Sequence, residues 1–287
     1  MEVKLKKIFN FLEENRKYNI EIQSDFFNSV FKNIESEHPD TEKERKIISL
    51  LYWVAETQSQ GNIDKLSESY KIFHNLNDKD PKIKYTTWPE FCYTLAEAIP
   101  VSGTKAKYPK MTQKKKEKHI DDFQTKDYKP FAHLFKTIKS YPGYGDKTAA
   151  LFVKMIYQIH LVDKYTNYKI WENVSPLESK DMLYLPVDAV IIEIFKKIKH
   201  PEFEKWNFNR INTELNISYD GSQIEIWDDL WFWGYITQKV VKNQDDRDFE
   251  LNKNKYWVMK ESDKNKKTII EIFGEKGKAQ EFIDIII

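Results

Sequence analysis

Apolar residues recur at helical spacing along most of this chain, and this periodicity limits the fold more than any other feature of the sequence. It predicts helices at residues 5–12, 26–34, 41–58, 62–75, 87–98, 128–140, 146–160, 188–199, 202–215 and 224–242. Residues 161–185 have no regular pattern. Towards the end of the chain the pattern predicts two short strands, 256–259 and 268–273, followed by a helix at 276–286. We therefore expect a mainly α-helical fold.

The composition narrows the classes of protein and site. The chain has 287 residues, of which 40% are hydrophobic and 32% charged, which is typical of a globular protein. Cys92 is the only cysteine, so an intramolecular disulfide and a cysteine-ligated zinc or iron–sulfur site are excluded. The six histidines have no ligand-like spacing, and we expect neither a metal nor a cofactor. The N-terminal residues have no apolar core of a signal peptide, and no run is as long as a membrane span, which favours a cytoplasmic protein.

The net charge of +1 does not indicate a nucleic-acid partner, so any such evidence must lie in how the charges are distributed. Residues 101–127 interrupt the helical pattern and are rich in lysine, with Lys105, Lys107, Lys110, Lys114, Lys115, Lys116 and Lys118. The segment is predicted to be a solvated, mobile loop. Alternatively, its basic stretch 105–118 binds a phosphate backbone or another acidic partner.

The most informative segment is Leu134–Met155, in which two amphipathic stretches flank a proline and two glycines. Pro142 ends the first helix because it lacks an N–H group and restricts the residue before it. Gly143 and Gly145 permit a positive φ and a close approach of the backbone to another surface. The next helix starts here, so its N–H groups and positive dipole end could bind one phosphate. Alternatively, the segment is only a tight turn between two packed helices.

The string PGYGDKTA at 142–149 resembles the hairpin of the helix-hairpin-helix DNA glycosylase superfamily, which includes endonuclease III and the 8-oxoguanine glycosylases. Leu185-Pro186-Val187-Asp188 is similar to a second segment of that superfamily, which opens a helix at the active site. The resemblance implies that Lys147 is the nucleophile and Asp188 the essential carboxylate. It also implies that the DNA backbone is bound by Gly143, Tyr144, Gly145, Lys147 and Thr148.

The sequence departs from the family pattern in three places. Tyr141 replaces an aliphatic residue, and Val190 stands where most members have a histidine. The spacer between Lys147 and Asp188 is longer than in most members. In this respect the chain is similar to the archaeal 8-oxoguanine glycosylases (the AGOG group).

The resemblance also implies a two-lobed helical bundle. Residues 36–187 would form one lobe and contain the helix-hairpin-helix, at about 128–160. Residues 1–35 and 188–250 would form the second lobe, and 251–287 a small ββα-like C-terminal appendage.

A base inside a duplex is inaccessible, so such an enzyme must flip the target nucleotide into a pocket with a stacking ring. The residues predicted for this pocket, or for filling the gap in the duplex, are Trp53, Gln58, Gln60, Trp227, Trp231 and Trp233, with Asp228 and Asp229 as possible acceptors. The alternative is that the tryptophans belong to the core.

The sequence thus predicts a base-excision DNA repair enzyme: a monomeric DNA glycosylase with AP lyase activity that removes 8-oxoguanine or another modified base from double-stranded DNA. It would act near the nucleoid. Three alternatives stay open: a non-catalytic helix-hairpin-helix DNA-binding protein, a relative that hydrolyses another nucleoside or modified-nucleotide glycosidic bond, and an interaction protein that uses the basic stretch.

Overall fold

A computed structural model of the chain describes residues 1–32, 34–37, 42–58, 63–78, 87–102, 111–125, 127–178, 181–198, 205–242, 247–259 and 266–287. Over these residues the protein is mainly helical, with a small two-stranded sheet. None of the helices described there combines the length and the apolar character needed to cross a bilayer. The chain divides into two compact units: unit 1 contains Met1–Ser24 and Val187–Ile287, and unit 2 contains Asp25–Pro186. Residues 251–287, expected as a separate appendage, are thus part of unit 1.

The helices of the first 186 residues are α1 (Glu2–Glu14), α2 (Arg16–Val30), α3 (Ile34–Glu37), α4 (Glu42–Gln58), α5 (Ile63–Asp78), α6 (Trp88–Glu97), α7 (Gln113–Asp122), α8 (Pro130–Lys139), α9 (Asp146–Leu161) and a 3₁₀ helix (Asp163–Tyr168). The predicted cap of α4, Thr41, lies outside the described residues. Beyond the 3₁₀ helix, the described residues up to Asp188 form no regular element, as the sequence predicts.

The core of unit 2 is centred on α9, in which every residue from Phe152 to His160 is buried. A helix that is apolar on nearly all sides is stable only when other elements surround it. Lys147 lies in the first turn of this helix. Its backbone position is therefore determined by the burial of the rest of α9.

The lysine-rich segment is partly helical, so the prediction of a loop over 101–127 is wrong for α7. Thr112 caps this helix, since its Oγ1 accepts a hydrogen bond from the Lys115 backbone N–H at 3.4 Å. The buried face of α7 is narrow: Ile120 and Phe123 pack against a small apolar cluster that includes Met111. Because most other positions of α7 are charged, the helical periodicity was too weak to be recognised. Lys105, Lys107 and Lys110 lie outside the described residues.

The later elements are α10 (Ala189–Lys196), α11 (Phe208–Ser218), α12 (Gly221–Trp227), α13 (Asp229–Ile236), β1 (Gln238–Val240), β2 (Arg247–Phe249), α14 (Lys253–Met259), α15 (Lys266–Phe273) and α16 (Lys278–Ile286). Strands β1 and β2 pair in antiparallel fashion, with Lys239 opposite Asp248. The single helix predicted over 224–242 is therefore wrong: α12 and α13 meet at Asp228, and the residues after α13 form β1.

The C-terminal β-hairpin predicted at 256–259 and 268–273 is also wrong, because both segments are helical. Their β-branched residues favour strands locally. Tertiary packing overrides this preference: Ile272 and Phe273 are buried, and the Phe273 ring packs edge-on against Tyr256 with centroids 5.7 Å apart.

Unit 1 also contains a buried cluster of polar and charged side chains. Arg16 binds both carboxylate oxygens of Glu225, at 2.6 and 2.8 Å, and its Nε lies 3.5 Å from Asp229. Asn19 donates a hydrogen bond to Asp229 Oδ1 at 2.5 Å. Burial raises the pKa of Asp229 well above its usual range, and the negative charge of Glu225 raises it further, against the opposing effect of Arg16. The cluster connects α2 with α12 and α13 and fixes the helices that follow Asp188.

His160 is a buried histidine of α9 that must be neutral. Its Nε2 accepts hydrogen bonds from the backbone N–H groups of Ile170 and Trp171, both at 3.2 Å, so Nδ1 carries the proton and donates to the Ile156 carbonyl at 2.7 Å. Burial lowers the pKa of His160 to about 4. Because the pKa in the unfolded chain is near 6.5, the unfolded state binds the proton first as the pH falls.

We therefore expect His160 to stabilise the fold fully above about pH 6.5 and to lose this contribution as the pH falls towards 4. A shift of this size corresponds to about 3 kcal/mol in the free energy of unfolding. In urea denaturation at a series of pH values, His160→Gln should show a reduced pH dependence over this range. Part of the dependence should remain, since burial also lowers the pKa of His119 to about 4. The same substitution at exposed His74, His74→Gln, is the control; a profile in His160→Gln as steep as in this control would contradict the assignment.

Candidate functional site

The turn between α8 and α9, residues 141–145, is fixed by a glycine that no other residue can replace without strain. Gly143 has a φ of +82°, in the left-handed region. A Cβ atom there would lie 2.9 Å from Leu66 Cδ2 and 3.4 Å from the Leu66 backbone nitrogen. The preceding carbonyl, of Pro142, accepts a hydrogen bond from the hydroxyl of Ser69. The turn is therefore held directly against α5.

Two buried tyrosines attach the same turn to other helices of unit 2. Tyr141 donates a hydrogen bond to the Leu95 carbonyl and Tyr144 to the Leu51 carbonyl, both at 2.6 Å. Burial raises the pKa of Tyr144 well above 10, so the phenol stays protonated and acts as a donor. The side chain of Tyr144 thus belongs to the core, and any contact it makes with DNA would have to come from its backbone.

The first turn of α9 presents backbone atoms on an open surface. Gly145 is the N-cap residue, no side chain caps this helix, and no atom lies within 4 Å of where its Cβ would be. Asp146 forms an ion pair with Lys139 of α8. Lys147 is half-buried in this turn, whereas the side chain of Thr148 is buried. Of the predicted DNA-backbone set, Gly145 is thus exposed and Gly143 and Lys147 are half-buried.

Asp188 is the N-cap of α10, in unit 1, as the sequence predicts. Its Oδ1 accepts hydrogen bonds from the backbone N–H groups of Val190 and Ile191, at 2.9 and 3.1 Å. Its Oδ2 accepts a third, from Trp231 Nε1, at 3.0 Å. The carboxylate is half-buried, and the three donors determine its orientation.

Of the three tryptophans predicted for a base pocket, the structure brings only Trp231 to Asp188. Its ring is half-buried and stacks on Tyr235 one turn later, with centroids 4.9 Å apart and planes at 14°. The Lys255 ammonium lies over the Tyr235 ring at 4.7 Å, and burial lowers the pKa of this lysine. We call Trp231 and Tyr235 the stacked pair. Tyr235 was not among the predicted pocket residues. Its position four residues after Trp231 could have indicated that the two rings share one face of a helix.

The predictions for Trp227 and Trp233 as pocket residues are wrong, because both side chains are completely buried. Trp227 packs against Phe9, and Trp233 packs edge-on against Phe11 with centroids 5.0 Å apart. Both are core residues and cannot receive a ligand.

The two aspartates predicted as acceptors for the base, Asp228 and Asp229, are also buried. Asp229 is committed to the polar cluster with Arg16 and Asn19, and Asp228 is buried.

The residues predicted to fill a gap in the duplex are only partly described. Trp53 is half-buried on α4, where its ring packs against Phe26 with centroids 4.3 Å apart. The side chain of Gln58 and the whole of Gln60 lie outside the described residues. Trp53 is therefore the residue of this set that can be placed.

Comparison of the chain with family models, with curated protein sequences and with solved structures gave no match. The function of this chain is consequently inferred from its own sequence and structure. Lys147 belongs to unit 2 and Asp188 to unit 1, and their joint action stays a prediction.

The two glycines of the turn should respond differently to alanine. Gly143→Ala places a side chain at positive φ and against Leu66, and it should cost about 2 kcal/mol in the free energy of unfolding. Gly145→Ala has open space, and it should cost about 0.5 kcal/mol, the loss expected at an N-cap. Urea unfolding of both variants measures the difference. Equal costs would show that the turn does not depend on the backbone of Gly143.

The cap formed by Asp188 can be separated from any chemical role of its charge. Asp188→Ala should lower the free energy of unfolding by about 1 kcal/mol, because it removes the acceptor of two backbone N–H groups. Asp188→Asn should keep the cap through its Oδ1 but lose the hydrogen bond from Trp231, because the amide nitrogen cannot accept, so we expect a smaller loss than in Asp188→Ala. Thermal unfolding of the two variants tests this, and an equal loss in both would contradict the assignment of the stabilisation to the cap.

Proposed function

We propose that this protein is a DNA glycosylase with AP lyase activity, in which Lys147 is the nucleophile and Asp188 the assisting carboxylate. The observation that carries the proposal is the start of α9: an exposed glycine N-cap without a side-chain cap, followed two residues later by Lys147. The strings PGYGDKTA and LPVD, which resemble those of the helix-hairpin-helix glycosylases, supply the chemical interpretation.

The segment from α8 to α9 is proposed to act as the helix-hairpin-helix. Backbone N–H groups at a helix N-terminus bind a phosphate oxygen without any basic side chain. The side chains of Tyr144 and Thr148 are buried, so the contact would be made by the backbone near Gly145. Lys139 offsets the charge of Asp146, which would otherwise repel a phosphate at this place. A site of this kind suits a protein whose net charge is only +1.

The chemistry assigned to Lys147 is attack on the sugar of a flipped nucleotide. The uncharged amine forms a bond to C1′, and the bond between C1′ and the base breaks with its electron pair leaving on the base, which takes up a proton. Loss of a proton from the amine and opening of the sugar ring then give an imine. Removal of a C2′ proton expels the 3′-phosphate and cleaves the strand.

Asp188 is assigned the stabilisation of the positive charge that develops on the sugar. Val190, Ile191 and Trp231 fix its direction, so it would not need to reorganise during the reaction. The stacked pair next to Asp188 offers an aromatic surface for the extruded base. Since every base can stack on an aromatic ring, the choice of a modified base rests on the resemblance to the helix-hairpin-helix glycosylases, and 8-oxoguanine is the first to test.

The proposal is tested by incubating the full chain with duplexes that contain 8-oxoguanine, uracil, thymine glycol or an abasic site, and then reducing with borohydride. We expect a covalent adduct with at least one of these duplexes, since borohydride converts the imine to a stable amine. Lys147→Gln should abolish the adduct. Asp188→Asn, which keeps the helix cap, should lower the rate of base release by at least about 100-fold while DNA binding persists.

Lys164→Gln is the matched control, because it removes an exposed lysine of the 3₁₀ helix that the proposed site does not use, and it should leave trapping intact. An adduct that persists in Lys147→Gln would assign the nucleophile to another residue. Binding of all the duplexes without base release or adduct would instead identify a non-catalytic DNA-binding protein.

A further inference from the structure

Two histidines and an aspartate of unit 2 meet at a place that the proposed function does not use. His119 and Asp122 lie one turn apart on α7, and His133 lies on α8. One potential ligand atom from each residue lies within 4.8 Å of the others. His133 Nε2 and Asp122 Oδ2 are 3.7 Å apart. We expected no metal site, because the spacing of the histidines in the sequence does not resemble that of metal ligands; contact between α7 and α8 brings His133 to His119 and Asp122.

We propose that His119, Asp122 and His133 bind a divalent transition-metal ion, for which Zn²⁺ is the best fit. Two imidazole nitrogens and one carboxylate oxygen are a common ligand set for zinc. Imidazole disfavours Mg²⁺ and Ca²⁺, which select oxygen ligands. Three protein ligands leave one coordination position for water or another small ligand.

The hydrogen bonds of both rings orient one nitrogen of each towards the site. His119 Nε2 is 2.5 Å from Thr137 Oγ1, and His133 Nδ1 is 2.8 Å from the Lys129 carbonyl. His133 Nδ1 also lies 3.2 Å from the Lys129 backbone nitrogen, whose N–H can donate to it in the other tautomer. Metal binding requires the tautomer in which Nδ1 donates to the Lys129 carbonyl and His119 Nε2 donates to Thr137, so that lone pairs remain on His119 Nδ1 and His133 Nε2. This arrangement, in which the outer nitrogen of a ligand donates to an oxygen, is typical of metal-binding histidines.

His119 provides an independent indication of a missing ligand. The residue is completely buried, and among the described residues its Nδ1 has no hydrogen-bond partner. A buried polar atom without a partner costs free energy, so such atoms are rare unless a water or an ion satisfies them. A metal ion bound to Nδ1 would remove this cost.

The distances require only a small adjustment. Metal–ligand bonds of about 2.1 Å in a tetrahedral site separate ligand atoms by about 3.4 Å. Since the atoms lie within 4.8 Å of one another, each pair must close by at most about 1.4 Å, from 4.8 less 3.4. Rotation of half-buried His133 and Asp122 can provide this.

The surroundings of the site favour binding, with one competing charge. The rings of Phe123 and Tyr128 lie 5.3 and 5.1 Å from that of His133, and they form an apolar wall. Lys136 Nζ is 3.7 Å from Asp122 Oδ2, so an arriving cation would have to displace it. Because about half of the Lys136 side chain is exposed, it can turn to solvent at low cost.

Such a metal would crosslink α7 to α8, the helix that leads into the turn at 141–145. It would therefore have a structural role, and its existence does not depend on the glycosylase proposal.

The test is titration of the chelator-treated full-length protein with ZnCl₂ in a calorimeter. We expect one ion per chain, with an affinity that falls by at least about 10-fold in both His133→Gln and Asp122→Asn. Both residues are half-buried, so the variants should fold, which circular dichroism verifies. His74→Gln is the control and should bind zinc like wild type, because His74 is an exposed histidine outside the cluster. Substitution by Co²⁺ gives a second readout, since visible absorption bands of a tetrahedral complex should appear in wild type and disappear in His133→Gln.

Absence of zinc binding in the wild-type protein would overturn the proposal. Equal affinity in wild type, His133→Gln and Asp122→Asn would overturn it as well, by assigning the binding to other residues. Neither result would bear on base release or on the borohydride adduct.

Discussion

The position of the proposed reactive lysine depends on the burial of the helix that carries it. From Phe152 to His160, α9 has no solvent-facing side, and any displacement of this helix would expose core residues. The turn before it is held by the left-handed backbone of Gly143 against α5. Lys147 thus lies in the first turn of a helix held by its buried remainder, which suits the role proposed for it, since a nucleophile must be positioned precisely.

The same turn contains both buried residues, which stabilise the fold, and an exposed residue, which a ligand can reach. Tyr141 and Tyr144 are buried and donate hydrogen bonds to carbonyl groups of α6 and α4, so both aromatic side chains belong to the core. Gly145 lies on the other side, with open space around it. A surface formed by backbone needs no basic side chain to attract phosphate, which is consistent with a nearly neutral chain.

In unit 1, the aromatic residues between Trp227 and Tyr235 differ in burial because they lie on different sides of their helices. Residues two apart on a helix point to roughly opposite sides, so Trp233 enters the core while Trp231 remains half-buried beside Asp188. The buried polar cluster of Arg16, Glu225 and Asp229 fixes α12 and α13 from behind. Trp231 lies on the same helix as Asp229, and its indole N–H donates to the Asp188 carboxylate.

The sequence alone predicted the helical class, the turn at Pro142–Gly145 and the cap at Asp188, because periodicity, glycine and capping residues act over a few neighbours. It did not predict the helical state of 256–259 and 268–273, since their β-branched residues favour strands and only the packing of Phe273 on Tyr256 reverses that preference. It could not separate Trp231 from Trp227 and Trp233, because burial depends on which elements surround a helix. For the same reason, tertiary structure decided that His133 of α8 meets His119 and Asp122 of α7, because this contact depends on how the two helices pack.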